Sequence, residues 1–256
     1  EEGIDIAFDA LPYTYVNGII ASSLPPWFQE KLPEVYQSKN ARRRFAFENA
    51  LSYKLILNST MSDIRLMDNV VKGFENMGGL TIAEIAAKRK ISQWEAILQL
   101  NEASHEQAAI IFYNINGDEK HTKQIDSTIA HKLCLIGSDA LIRGHGYPNP
   151  AAFGTFPKVL GHYCRDKKLF SLEEAVRKMT SVSAERFGLK DRGVLATGKA
   201  ADIVVFDPKT IAEGAPTASE PATRPIGMQH VFLNGTHVVK DGVYIDLMRA
   251  GKVLRT

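Results

Sequence analysis

The sequence predicts an α/β protein, on three observations. Lys132-Leu-Cys-Leu-Ile-Gly-Ser-Asp-Ala140 contains a run of strand length that is apolar on both faces, as buried parallel strands are. Helix-period segments alternate with short strand-like runs along much of the chain, the alternation expected of parallel α/β folds. Beyond Gly188 the pattern changes to short Val-rich runs broken by Asn234-Gly235 and Asp241-Gly242, which tolerate positive φ and signal hairpins.

Taken in order, Ile4, Ile6 and Phe8 form one face of a first strand leading into Pro12 and Tyr13. So apolar an opening strand needs neighbours, which predicts that Glu1 is an internal starting point. Residues 14 to 60 mix turn signals with an amphipathic stretch near Ala41 to Leu51, and Trp27-Phe28 reads as a hydrophobic anchor on a surface excursion. Thr81-Ile-Ala-Glu84, Ser92-Gln-Trp-Glu95 and Ser171-Leu-Glu-Glu174 each carry the Ser/Thr-x-x-Glu capping box that starts a helix. Ala108 to Phe112 predicts a strand, and Asp118 to Ser127 a helix leading to the strand before Asp139. Phe153 to Arg165 and Ser171 to Met179 read as helices, the second with its apolar stripe on Leu172, Ala175, Val176 and Met179. Residues 193 to 207 and 227 to 256 form the small β unit, and the Pro-, Ala- and Thr-rich stretch from Asp207 to Pro225 reads as an exposed excursion.

Composition excludes several classes. The chain of 256 residues is 45% hydrophobic, with 31 basic and 29 acidic residues and a formal net charge of +2, so no nucleic-acid footprint is expected. Arg42-Arg43-Arg44 reads as a solvated face. No window approaches the roughly 20 apolar residues that span a bilayer. Two cysteines, Cys134 and Cys164, without zinc-site spacing, fit free thiols in a reducing, cytoplasmic setting.

The candidate functional residue is Asp139. Alternation puts Leu133, Leu135, Gly137 and Asp139 on one strand face, with the carboxylate at the exit, where barrel enzymes gather their active sites. Catalytic or metal-binding use and a helix cap or loop salt bridge both remain open for it.

Five stretches carry a family resemblance: Gly137-Ser-Asp139, Gly154-Thr-Phe-Pro-Lys-Val-Leu-Gly161, Leu172 to Thr180, Arg186-Phe-Gly-Leu189 and Arg192-Gly-Val-Leu195. With Gly198-Lys-Ala-Ala-Asp-Ile-Val-Val-Phe-Asp207 and the Val231 to Gly242 hairpin, their order resembles the D-aminoacylases. These N-acyl-D-amino-acid deacylases belong to the amidohydrolase superfamily. Leu11-Pro-Tyr-Thr14 is similar to their Tyr-Pro-Tyr-Thr segment. The resemblance implies the C-terminal part of a metal-dependent-hydrolase (β/α)8 TIM barrel over residues 1–190, with an inserted helical excursion, and a β-sandwich segment over 191–256. It implies one or two zinc ions, with Asp139 beside the metal as the carboxylate that takes a proton from the metal-bound water.

The family's His-x-His pair and its other metal ligands have no counterpart here, so most zinc ligands are expected outside this chain. They would come from an N-terminal half of the same enzyme, in the same or a separate chain. The family's His-Pro-Arg segment corresponds to Asn149-Pro150-Ala151, and the missing guanidinium makes Arg143 the candidate for the substrate carboxylate. Tyr13 at a strand end is a second substrate-binding candidate, and a buried tyrosine with a satisfied hydroxyl is the alternative. The implied reaction is hydrolysis of an N-acyl-D-amino acid, with no nucleic acid or membrane partner. A cyclic-amide hydrolase of the hydantoinase or dihydroorotase kind, and a non-catalytic subunit retaining the fold, remain open.

Overall fold

A computed structural model describes residues 3–53, 59–118, 120–217, 220–246 and 248–255. In chain order, β1 (Phe8–Ala10) and β2 (Val16–Ile19) are followed by a single turn, α1 (Pro26–Gln29), and by α2 (Lys39–Ser52). Next come β3 (Ile64–Leu66), α3 (Ile82–Arg89), α4 (Gln93–Ala103) and β4 (Ala109–Phe112). Then follow α5 (Lys123–Ala130), β5 (Cys134–Ile136), α6 (Ala151–Lys158), α7 (Leu172–Met179) and α8 (Ser181–Arg186). The chain closes with β6 (Ile203–Phe206), β7 (Met228–Leu233), β8 (Thr236–Lys240) and β9 (Val243–Tyr244).

Three sheets result. β1 and β5 pair in parallel, Phe8 opposite Cys134 and Ala10 opposite Ile136, and among the described residues they pair only with each other. The opening strand is shorter than its apolar alternation predicts: it starts at Phe8, and Ile4 and Ile6 are exposed. β4 lies between β2 and β3, antiparallel to both. The Ala108–Phe112 run is thus a strand but no part of a parallel alternation. A continuous apolar run reports burial on both faces, and all of β4 is buried; it does not report the direction of the neighbours.

The sheet β2-β4-β3 and helices α1 to α4 enclose a core whose buried residues run from Ile20 to Phe112, with Val16 packed against it. Phe28, Phe45 and Tyr36 are fully buried there, with Phe28 and Phe45 rings 5.5 Å apart. Phe28 therefore anchors an excursion with a core of its own. The Arg42-Arg43-Arg44 cluster is only partly a solvated face: Arg42 pairs with Glu95, and Arg44 lies 4.1 Å over the Trp27 ring. α3 has the complete capping box, Thr81 Oγ1 accepting from the Glu84 N–H at 3.2 Å and Glu84 Oε2 from the Thr81 N–H at 2.7 Å. Ser92 and Ser171 cap with one arm each, because the Glu95 and Glu174 side chains turn instead to Arg42 and Arg177.

A second core gathers Ile129, Cys134, Val159, Tyr163, Ala175 and Ile211 around β5. α6 contains Pro157, which has no N–H to give the carbonyl four residues back. The helix continues from Val159 to Asp166 in the wider π winding. On α7 the buried face runs through Ala175 and Lys178, while Val176 is 37% exposed. Lys178 is buried because its ammonium donates to the carbonyls of His131 and Cys134, the latter at 3.0 Å, tying α7 to β5. The Asp207–Pro225 stretch is exposed at Pro208 to Thr210 and Ala215 to Thr217, as an excursion is, but it is pinned to the body between them. Ile211 is fully buried in the second core, and Ala212 bridges Ile226.

β6 to β9 form one antiparallel sheet in the order β6-β7-β8-β9. Both hairpin turns have the positive φ their sequences predict, 50° and 81° at Asn234-Gly235 and 50° and 74° at Asp241-Gly242. Among the described residues no helix is long and apolar enough to cross a membrane.

Candidate active site at the exit of the parallel strands

β5 ends at Ile136, and the Gly137 N–H still reaches the Ala10 carbonyl of β1 at 3.0 Å. A Cβ at Gly137 would stand 2.5 Å from Asp9 Oδ2, so a side chain there would displace the exposed Asp9 carboxylate. Two residues on, Asp139 adopts φ +47°, a left-handed conformation that aspartate tolerates better than most L-residues. The turn is held from two sides. The Asn17 N–H donates to Asp139 Oδ2 at 3.1 Å, and the Asn17 side-chain amide donates to the Asp139 carbonyl. Asn149, fully buried, donates to the same carbonyl at 3.3 Å and to Asn17 Oδ1, while its own Oδ1 accepts the Ala151 N–H at 2.9 Å.

Asp139 itself is exposed and lines a cavity of about 550 Å³ with Asp9, Leu11, Val16, Asn116 and Gln124. An exposed carboxylate beside a cavity, with one oxygen fixed by a backbone N–H, can accept and return a proton. A similar cavity of about 570 Å³ lies in the excursion, lined by Trp27, Lys31, Glu34 and Arg44, and contains none of the candidate residues.

The loop after Asp139 is pinned to the end of β3. Gly146, at φ +73°, lies so close to Met67 that a Cβ would overlap its carbonyl oxygen at 2.0 Å, and the Tyr147 N–H donates to that oxygen at 2.6 Å. Beside it Arg143 Nη1 donates to both oxygens of Asp68, each at 3.1 Å. Asp68 is only 3% exposed and also accepts the Ala109 N–H at 2.7 Å. His145 Nδ1 stands 3.8 Å from the same carboxylate. The guanidinium expected to meet a substrate is therefore already neutralised along one edge. Among the described residues its Nε and Nη2 have no partner.

Tyr13 takes the alternative course. It is buried, and its hydroxyl donates to Glu213 Oε2 at 2.7 Å. Lys158 closes the group, its Nζ 2.9 Å from Glu213 and 4.1 Å over the Tyr13 ring. Burial, reinforced by the Glu213 charge, pushes the Tyr13 phenol far above its ordinary range. Tyr13 does not line the Asp139 cavity, because a buried phenol must satisfy its hydroxyl and Glu213 does so. Ala151, where the related segment has its arginine, is buried against Tyr13, Tyr15 and Tyr147.

Among the described residues no three His, Cys, Asp or Glu side chains converge to hold a metal ion. By themselves the described residues therefore do not fit zinc, which takes three or four protein ligands. Both cysteines are free thiols, Cys134 buried and Cys164 half-buried.

The model of the amidohydrolase family matches residues 73–244. The chain belongs to the amidohydrolase family. It is 41% identical over 183 residues to the D-aminoacylase of Alcaligenes xylosoxydans xylosoxydans, a match covering 72% of this chain and 35% of that one. With the N-acyl-D-glutamate deacylase of the same organism it shares 39% over 178 residues, 70% of this chain and 34% of the other. Among solved structures, the N-acyl-D-glutamate deacylase of Bordetella bronchiseptica, complexed with zinc and a phosphonate mimic of the tetrahedral intermediate, superposes with a TM-score of 0.69 at 30% identity. That superposition covers 100% of this chain and 44% of the other. A D-aminoacylase crystal structure superposes with a TM-score of 0.70 at 31% identity, over 99% of this chain and 44% of that one. The chain thus spans about a third of the length of the curated relatives it matches.

Asn17, Asn149 and Asp68 were not legible as site residues. Asn17-Gly18 reads as a turn signal and Asn149 only as the counterpart of the related segment's histidine, and nothing in the local pattern tells a turn asparagine from one that holds a carboxylate 122 residues away.

Proposed function

We propose that this chain is the C-terminal catalytic part of an N-acyl-D-amino-acid deacylase. In this reading residues 1–190 contribute β1, β5 and their helices to a (β/α)8 barrel with the excursion inserted after β1. Residues 191–256 contribute a segment to a β-sandwich. The remaining strands and most ligands for one or two zinc ions belong to an N-terminal part, in the same or a separate polypeptide. The free thiols support a reducing, cytoplasmic setting.

The observation that carries the proposal is the Asp139 carboxylate at the exit of a parallel strand, anchored through Oδ2 on an exposed residue that lines a cavity. In the reaction, water adds to the carbonyl carbon of the substrate amide and gives a proton to Asp139. Asp139 returns it to the amide nitrogen as the C–N bond breaks, releasing a carboxylic acid and a free D-amino acid. Bound zinc would supply Lewis-acid polarisation and a more acidic water. Arg143 is not among the residues lining the Asp139 cavity, but its loop leads from Asp139, and the edge left free by Asp68 offers Nε and Nη2 to the substrate α-carboxylate, a bidentate match. Tyr13 would reach substrate only by giving up Glu213, and supports the wall instead.

The test uses the natural protein carrying this sequence. It should release free amino acid from N-acetyl-D-methionine and not from the L-isomer, and lose activity on chelation. Asp139→Asn should lower kcat by at least about 100-fold. Full activity in that variant would refute the role of Asp139. A second reading, cyclic-amide hydrolysis, draws on 41% identity over 63 residues to a dihydroorotase of Lactobacillus acidophilus, although this covers 22% of the chain. Turnover of dihydroorotate or a hydantoin without turnover of N-acyl-D-amino acids would favour it. Stable binding of either substrate without turnover of any would point to a non-catalytic subunit.

A further inference from the structure

We propose that Asn149 is a positioning residue for Asp139, the buried half of a two-amide clamp whose other half is Asn17. The inference rests on the reading of Asp139 as the proton-handling carboxylate and adds what holds it in place. Asp139 sits at φ +47°, a conformation most L-residues avoid, so its peptide needs anchoring to stay there. Both side-chain amides converge on the Asp139 carbonyl oxygen, and the Asn17 main-chain N–H takes Oδ2 of the same residue. The two amides are also bonded to each other, Asn149 Nδ2 to Asn17 Oδ1.

Asn149 is fully buried, so its amide has no water to turn to, and its three bonds all serve this loop. Its Oδ1 accepts the Ala151 N–H at the start of α6, which references the clamp to a helix. Asn17 references it to β2, through the pairing of Asn17 with Ile111 of β4. The carboxylate is thereby set by two rigid elements and not by its own loop. A catalytic group displaced by about 1 Å can cost about 100-fold in rate.

The chemistry requires a carboxamide at 149. An isosteric aspartate keeps the acceptor for the Ala151 N–H but turns an oxygen toward the Asp139 carbonyl and Asn17 Oδ1, where two acceptors already lie. Asn149→Asp therefore breaks the clamp while preserving shape and volume.

The experiment uses the natural protein with N-acetyl-D-methionine. Asn149→Asp should lower kcat by about 10- to 100-fold with KM within about threefold of the parent. In an Asp139→Asn background the same change should cost nothing further, a non-additivity that a general loss of stability would not produce. Independently of activity, the Asn17 amide should exchange with solvent at least about tenfold faster in Asn149→Asp than in the parent. If Asn149→Asp does not fold, Asn17→Ala, at a half-buried position that keeps its main-chain N–H, should give the same kcat loss and the same non-additivity. A kcat within about threefold of the parent in the folded variant, alongside a large loss in Asp139→Asn, overturns the clamp and leaves the role of Asp139 standing. Parent-like kcat in Asp139→Asn overturns both.

Discussion

Arg143 is asked to serve two partners, and a double-mutant cycle with Asp68 separates them. Asp68→Ala strands the Ala109 N–H, a donor on a residue with no exposure, which costs about 1–3 kcal/mol. It also removes the paired contacts to Arg143, worth about 1–2 kcal/mol for a guanidinium whose side chain keeps 31% of its exposure. The expected loss is about 2–5 kcal/mol. Arg143→Ala leaves the Asp68 carboxylate buried with the Ala109 N–H and, at 3.8 Å, the His145 ring, and should cost about 2–4 kcal/mol. If the pair is real, the double variant loses less than the sum, with a coupling of about 1–2 kcal/mol by urea denaturation of the natural protein. Kinetics then divide the roles. A guanidinium whose Nε and Nη2 take the substrate carboxylate should, on removal, raise KM for N-acetyl-D-methionine by about 10- to 100-fold. KM for the corresponding α-carboxamide, which offers no charge, should change little. Coupling below about 0.3 kcal/mol refutes the pinning by Asp68. Coupling with an unchanged KM refutes the substrate role and leaves Arg143 a loop anchor.

Two further outcomes follow from the fold. Burial holds Lys178 below its usual pKa of 10.5, so the folded state binds fewer protons than the unfolded chain between the depressed value and 10.5. Stability relative to Lys178→Met should therefore rise with pH across that window, by up to about 1.4 kcal/mol per unit, and level off above 10.5. Parallel stability curves for parent and variant from pH 7 to 11 would contradict this. Gly146→Ala combines a left-handed φ with a collision against the Met67 carbonyl, and should lower stability by about 2–4 kcal/mol in denaturant titrations. A loss under 1 kcal/mol would mean that the loop does not sit against β3.

Much of the local structure was written in the sequence. The apolar run before Asp139, the Thr81 box and the Asn234-Gly235 and Asp241-Gly242 turns depend on a few neighbouring residues, and each formed as read. So did the placement of Asp139 at a strand exit, because side-chain alternation and strand length are local properties. What the sequence could not rank was the set of partners. Val176 and Lys178 competed for the buried face of α7, and hydropathy favoured the valine. The carbonyls of His131 and Cys134, both within reach of its ammonium, made the lysine the better fit. Ile211 looked exposed among prolines and alanines until the second core received it.

The sequence by itself therefore determined the capped helix starts, the hairpin turns and the identity of one exit carboxylate, since these rest on periodicity and backbone preference within a few residues. Only the tertiary structure decided that Asp68 holds Arg143, that Glu213 takes the Tyr13 hydroxyl and that Asn17 and Asn149 meet at Asp139. Those contacts join residues 10 to 200 positions apart. A buried polar group takes whichever partner the packing brings within about 3 Å, and local sequence carries no record of that choice.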